Sequence, residues 1–209
     1  MGLYGTLRRA SAADVARMRA EPALVDAFLH GERPSAAPRG GGGVFGFLRR
    51  LLPVTVTTAS ASPEPAAGVS SWPEAGEGEA VELDKMWHGL HYLLTGSADE
   101  RPLPAGFLLS GGEDVGEDEG DGTPRLLDQA QVRAIADLLA ALDADELTRR
   151  FDARRMTELE IYPDPIWRRD EDPDGEHTPL GWLLDAFAEL QAFMVAAASA
   201  GDAVVVDVS

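Results

Sequence analysis

Between residues 32 and 80 the regular spacing of apolar side chains stops. RPSAAPRGGGG and TTASASPEPAAGVSSWPEAGEGEA have the Pro, Gly and Ser content of insertions and linkers rather than of packed elements. The periodic segments all lie outside this stretch, so the chain reads as a single domain over 1–209 with an insertion at about 32–80. Two pieces inside it carry a pattern: VFGFLRRLL (44–52), basic and amphipathic, and the alternating VTVTT (54–58). The first is short for a membrane-surface helix and is expected to pack back onto the core.

On either side of the insertion the elements follow from spacing and caps. GLYGTLRR (2–9) reads as a strand. Ser11 then offers a helix N-cap with Asp14 in the capping-box position. Leu24, Val25, Phe28 and Leu29 share a face, Pro22 divides this helical region in two, and Gly31 closes it. Residues 85–95 are predicted to be a helix capped by Gly96, and AGFLLSGG (105–112) a buried strand ending in a glycine turn. In DQAQVRAIADLLAALD (128–143), Val132, Ile135, Leu138, Leu139 and Leu142 recur at helical spacing. DADELTRRF and DARRMTELE are two short helices, each opened by Asp. Thr178 caps and Pro179 starts a long helix to about 200, Gly201 stops it, and AVVVDVS is a terminal strand. The fold class is α+β: a helix-rich single domain with a small sheet that includes both terminal strands.

Charge narrows the partners. The chain carries −18, but residues 1–52 hold eight Arg against four acids, or +4, which leaves −22 on residues 53–209. Such a field repels a phosphate backbone, so no nucleic acid is expected; it favours a basic protein partner or divalent ions. Solubility is the plain alternative. The absence of cysteine excludes disulfides, thiol catalysis and sulfur-ligated zinc. No secretory signal is visible and no run approaches the roughly 18 apolar residues of a membrane span, so a cytoplasmic protein without a membrane partner is expected. Seventeen of the 18 basic residues are Arg, the usage of a GC-rich bacterial gene.

MGLYGTLRRAS, LDKMWHGLHYLLTG, GGEDVGEDEGDGTPRLLDQAQV, FDARRMTELEIYPDPIW and the closing AVVVDVS, in that order, resemble the YfbM-like family, domain of unknown function 1877. The blocks span nearly the whole chain apart from about 32–80. The resemblance implies one α+β domain in small bacterial proteins and implies no particular reaction. The family's glycine loop usually reads like G-Y-G-P-A-R. Here it is Gly120-Asp121-Gly122-Thr123-Pro124-Arg125, with no aromatic to meet a ligand.

ELDKMWHGLHYLLTG (82–96) concentrates the candidate chemistry. Leu83, Trp87, Leu90, His91 and Leu94 share the expected core face, and His88 lies on the flank, four residues after Asp84. That spacing suits an Asp orienting a general-base imidazole, and two His at i, i+3 suit part of a metal site. The plain reading is a structural helix with hydrogen-bonded His and with Asp84 as its N-cap. In the acidic loop, Glu117, Glu119 and Asp121 are weak cation candidates, but the EF-hand pattern fails at its first position and at Pro124. Arg125 can clamp a carboxylate or pair with a neighbouring acid to hold the turn, and the second is expected. Tyr162 and Trp167 either wall a cleft or cover the core edge. No Rossmann, P-loop or Ser-His-Asp pattern occurs, so no cofactor is expected. The sequence therefore favours an acidic binding protein, inhibitor- or immunity-like, for a basic partner. The alternative is a small-molecule-binding protein or hydrolase-like enzyme with a pocket joining His88, His91, Arg125, Tyr162 and Trp167.

Overall fold

The C-terminal strand β5 (Ala203–Val208) is buried on both faces, and the rest of the fold is arranged around it. The computed structural model describes residues 2–30, 72, 75–76, 78–116, 122–168 and 178–209. Strands β1 (Gly5–Ala10), β2 (Ala80–Asp84), β3 (Glu113–Asp114) and β4 (Arg125–Leu127) join β5 in an antiparallel sheet of order β2-β1-β5-β4-β3. Both chain ends lie in its centre, where Tyr4 and Ser209 exchange main-chain hydrogen bonds of 2.7 and 3.0 Å. Double-sided burial explains why AVVVDV reads as a continuous apolar run instead of alternating.

Helices cover both faces. Val204 and Val206 of β5, with Leu7, Val81, Leu83 and Leu127, enter the larger core. It is roofed by α3 (Trp87–Thr95), α4 (Gln129–Ala140), α5 (Ala144–Arg150), α6 (Ala153–Glu158) and α7 (Pro179–Ala200). Ala203 and Val205 face a smaller core with α1 (Ala12–Ala20) and α2 (Val25–His30). This α+β, helix-rich arrangement with both terminal strands in the sheet is the expected one.

Local signals place the helices. Ser11 and Asp14 form the predicted capping box, Asp128 and Gln131 form another, and Asp143, Asp152 and Thr178 cap α5, α6 and α7. Pro22 does divide the first helical region, through a 3-10 turn at Pro22–Leu24. Gly96 ends α3 at a positive φ of 73°. Gly31, VFGFLRRLL and VTVTT lie outside the described residues. Trp72, within the stretch read as an insertion, is buried in the smaller core, edge-on to Phe28 at 5.1 Å and beneath the Arg17 guanidinium.

Three expectations change. Residues 105–112 form turns rather than a strand: Gly106 N–H donates to the Pro102 carbonyl and Ser110 N–H to that of Gly106. A Cβ on Gly106 would lie 1.7 Å from the Arg101 carbonyl oxygen, so the tight turn requires glycine. Phe107 and Leu108 are nonetheless fully buried, and the apolar run signalled burial, not extension. The helix predicted from residue 85 starts at Trp87. Asp84 is not its N-cap, because it ends β2 with φ 46°, and Met86 takes the cap position without a side-chain bond. Finally, α7 is long and apolar enough by length and composition to span a membrane. Leu183, Phe187, Leu190, Met194 and Ala197 nevertheless bury one of its faces in the larger core.

The glycine inside WHGLH has a packing reason. A Cβ on Gly89 would come within 2.6 Å of Trp167 Cη2 and 2.8 Å of Leu183 Cδ2. Gly89→Ala is expected to lower unfolding free energy by about 1–3 kcal/mol through overpacking, although Ala is the better helix former. Urea denaturation checks this, and a gain in stability would remove the close approach as the reason for glycine.

Candidate functional site

Trp87 anchors the polar cluster singled out in the sequence. Its indole stacks on the His88 ring (centroids 5.0 Å apart, 8° between planes) and on Tyr162 (5.7 Å, 24°). The Tyr162 hydroxyl accepts a 3.0 Å hydrogen bond from Leu3 N–H, tying the N-terminal segment to the loop after α6. His88 spends both ring nitrogens on main chain: Nε2–H donates to the Ala98 carbonyl (2.9 Å) and Nδ1 accepts from Tyr162 N–H (3.0 Å). These partners fix the neutral Nε2–H tautomer. Asp84 is not among them, so the Asp–His general-base pair does not form.

His91, 3 residues on, is completely buried, whereas His88 is half-buried as its flank position predicts. His91 Nε2–H donates to the Asp99 carbonyl at 2.9 Å, leaving Nδ1 without a partner among the described residues. Burial pushes both imidazoles below their ordinary pKa of 6.5, and hydrogen bonding to the Ala98 and Asp99 carbonyls offsets this only in part. Among the described residues no group of three or more His, Asp or Glu is placed to hold a metal. The cation candidates Glu117, Glu119 and Asp121 lie outside the described residues.

Arg125 does hold a turn, but not by pairing with an acid. Its guanidinium donates to the carbonyls of Phe107 (3.1 Å), Leu108 (2.8 Å) and Gly111 (2.9 Å). Those carbonyls lack a strand ladder because residues 105–112 turn, and the planar fork of Arg can serve three at once. Burial lowers the Arg125 pKa, partly countered by Asp114. Trp167 is buried against Gly89 and donates Nε1–H to the Ile161 carbonyl at 2.6 Å. His88, His91 and Tyr162 are thus brought together around Trp87, while Arg125 and Trp167 are committed to other turns.

A concave feature lies beside this cluster. A cleft of about 450 Å³ runs between the β2–α3 turn and the first half of α7. Glu82 and Asp84 line it from β2, and Asp185 and Glu189 from α7. Lys85, the only lysine in the chain, is also in the lining, with Nζ 5.5 Å from the Tyr4 ring centroid. Trp182, Met86 and Ile166 give it apolar walls. Asp84 is the one sequence candidate in this lining. Glu82, Lys85, Trp182, Asp185 and Glu189 were missed. The signal that could have found part of the set is Trp182, Asp185 and Glu189 at i, i+3 and i+7, a polar stripe on an otherwise apolar helix.

Comparison with known proteins places the geometry in a family. The model of "Domain of unknown function (DUF1877)" matches residues 1–206. Protein YfbM of Escherichia coli (strain K12) is 38% identical over 88 residues, which is 40% of this chain and 51% of that protein. The matched chain thus spans about half the length of that curated relative. The crystal structure of a protein of unknown function, YfbM from Escherichia coli, superposes with a TM-score of 0.56 over 99% of each chain. At 18% identity across that superposition the likeness concerns the fold alone.

The two buried imidazoles make stability depend on pH. Below 6.5 the unfolded chain takes up protons that the folded His88 and His91 refuse, so unfolding becomes easier as pH falls. His88→Asn and His91→Asn should each be less stable at pH 7 but lose less stability between about pH 7 and pH 5 than the parent chain. Urea midpoints across that range measure the slopes, and equal slopes would mean that the histidines are not held neutral.

Proposed function

The chain belongs to the DUF1877 family, a domain of unknown function, and we propose that it is an acidic binding protein whose cleft engages a basic protein partner. The observation that carries this is the state of the cleft carboxylates. Glu82, Asp84, Asp185 and Glu189 have no hydrogen-bond or ion-pair partner among the described residues, although they share one concavity. Some acids elsewhere are used: Glu146 and Glu158 pair with arginines, Asp202 with Arg9, and Asp128, Asp143 and Asp152 cap helices. Others, such as Asp137 and Asp145, are single exposed acids, so what distinguishes the cleft is that four gather in one concavity. Four carboxylates without a side-chain partner among the described residues, around a concave surface, favour an incoming cation, and the −22 balance of residues 53–209 steers it there. The same field is the reason for proposing no nucleic-acid partner, a chain without cysteine fits a reducing cytoplasm, and the burial of one α7 face in the core is the reason for omitting a membrane.

The rival reading, a hydrolase-like or small-molecule pocket, has less support. His88 and Arg125 give their donors to main-chain carbonyls, and the Tyr162 hydroxyl is engaged by Leu3. A photo-reactive residue replacing Ala186, in the cleft wall, is expected to trap a basic protein in cells. Glu82→Lys combined with Asp185→Lys should abolish the product. Trapping in lysate should weaken as salt rises from about 0.15 to about 1 M, which shortens the screening length from roughly 8 to 3 Å. An acidic product, or one indifferent to both salt and the reversals, would overturn the proposal.

A further inference from the structure

Beyond its charge, the cleft has a shape and a second chemistry. Trp182 and Asp185 stand one turn apart on α7, and Glu189 one turn further, so an aromatic face and two carboxylates follow one line. Glu82 and Asp84 contribute carboxylates from β2. Trp182 is only half-buried, although the helix around it buries Leu183 and Phe187 completely or nearly so. An occupant must therefore offer a cationic head to the carboxylates and an apolar stem to Trp182, Met86 and Ile166.

Lysine and arginine side chains both meet that description, and the indole separates them. A guanidinium is planar, weakly hydrated and able to stack on an aromatic face while its edge donates to carboxylates. An ammonium is a compact, strongly hydrated point charge. The chain already places guanidinium groups over aromatic rings at close range, with Arg17 4.1 Å from the Trp72 ring centroid and Arg8 4.6 Å from that of Phe28, against 5.5 Å for the Lys85 ammonium over Tyr4. Lys85 sits in the cleft lining among the acids and competes with any incoming cation for their field.

Resting on the reading of the cleft as the partner-binding surface, we infer that its occupant is an arginine side chain of the basic partner, stacked on Trp182 and bonded to the carboxylates. The test uses the full chain and three probes at equal ionic strength: acetylated, amidated tetra-arginine and tetra-lysine peptides, and spermidine. Tetra-arginine is expected to bind more tightly than tetra-lysine, with spermidine weakest. Trp182→Leu, which keeps an apolar wall, should weaken tetra-arginine about three- to tenfold and leave tetra-lysine nearly unchanged. Lys85→Met should tighten both peptides. If both peptides bind equally and ignore Trp182→Leu, yet are lost with Glu82→Lys and Asp185→Lys, the arginine assignment falls while the acidic cleft survives. Tighter binding of spermidine than of either peptide would replace the partner side chain with a small polyamine. If no probe binds, the inference and the reading beneath it both fail.

Discussion

A stretch of main chain that leaves α3 without entering the sheet sets the terms for much of the molecule. From residue 97 to 112 the backbone turns repeatedly, and it carries Phe107 and Leu108 into the larger core. Main-chain carbonyls buried along such a path cost free energy unless a donor reaches them, and here there is no ladder to supply one. Side chains do so instead: His88 takes Ala98, His91 takes Asp99, and Arg125 takes Phe107, Leu108 and Gly111. The polar residues that look most like chemistry in the sequence are thereby engaged in closing the fold. Their neutral character follows from the burial that this task entails, which disfavours the imidazolium, while the bonds to the Ala98 and Asp99 carbonyls favour it and offset burial only in part.

This explains where the sequence was legible and where it was not. Caps are local: Ser11 with Asp14, Asp128 with Gln131, and Thr178 before Pro179 each announce a helix within four residues, and each helix is present. AVVVDV announced a fully buried strand because both of its faces are covered. The failures arise where burial and conformation part company. Phe107-Leu108 is apolar enough for a strand, but Gly106 admits a turn so tight that a Cβ would meet the Arg101 carbonyl. In AVELD, β2 offers only Val81 and Leu83 on its buried side before a left-handed Asp84, so two apolar residues had to stand against an adjacent helical pattern. Spacing alone could propose Asp84 as a partner for His88. It could not show that the intervening turn takes the carboxylate elsewhere, or that Tyr162, 74 residues away, supplies the second bond.

The cleft follows from the same turn. With Asp84 at positive φ and Lys85–Met86 leading into α3, the chain leaves the edge strand β2 beside α7, whose apolar face is already held by the core. The opposite stripe of α7, Trp182, Asp185 and Glu189, then faces a surface lined by Glu82 and Asp84. Trp87, stacked between His88 and Tyr162, keeps α3, the N-terminal segment and the 162–166 loop in register behind that surface. The structural role of the aromatic cluster and the existence of the cleft are therefore successive consequences of one packing arrangement.

Four carboxylates gathered around a single lysine repel one another, and a folded chain tolerates that only as a local conflict between stability and another requirement. Elsewhere this protein resolves such conflicts readily: Arg149 and Arg150 flank Glu146, and Arg154 and Arg155 flank Glu158, on adjacent short helices. Arginine is plainly available to this chain, yet among the described residues none of the lining positions is an arginine, and the one cation there is the only lysine the sequence contains. A cation arriving from outside would relieve the repulsion and gain the attraction together, so the unrelieved state of the free protein becomes part of the affinity of the complex. On this view the acidic composition has two parts that mutation can separate. One is dispersed, and those of its members that pair with arginines or cap helices serve the fold. The other is gathered between β2 and α7, where, on the proposed function, a bound basic partner would offset its mutual repulsion.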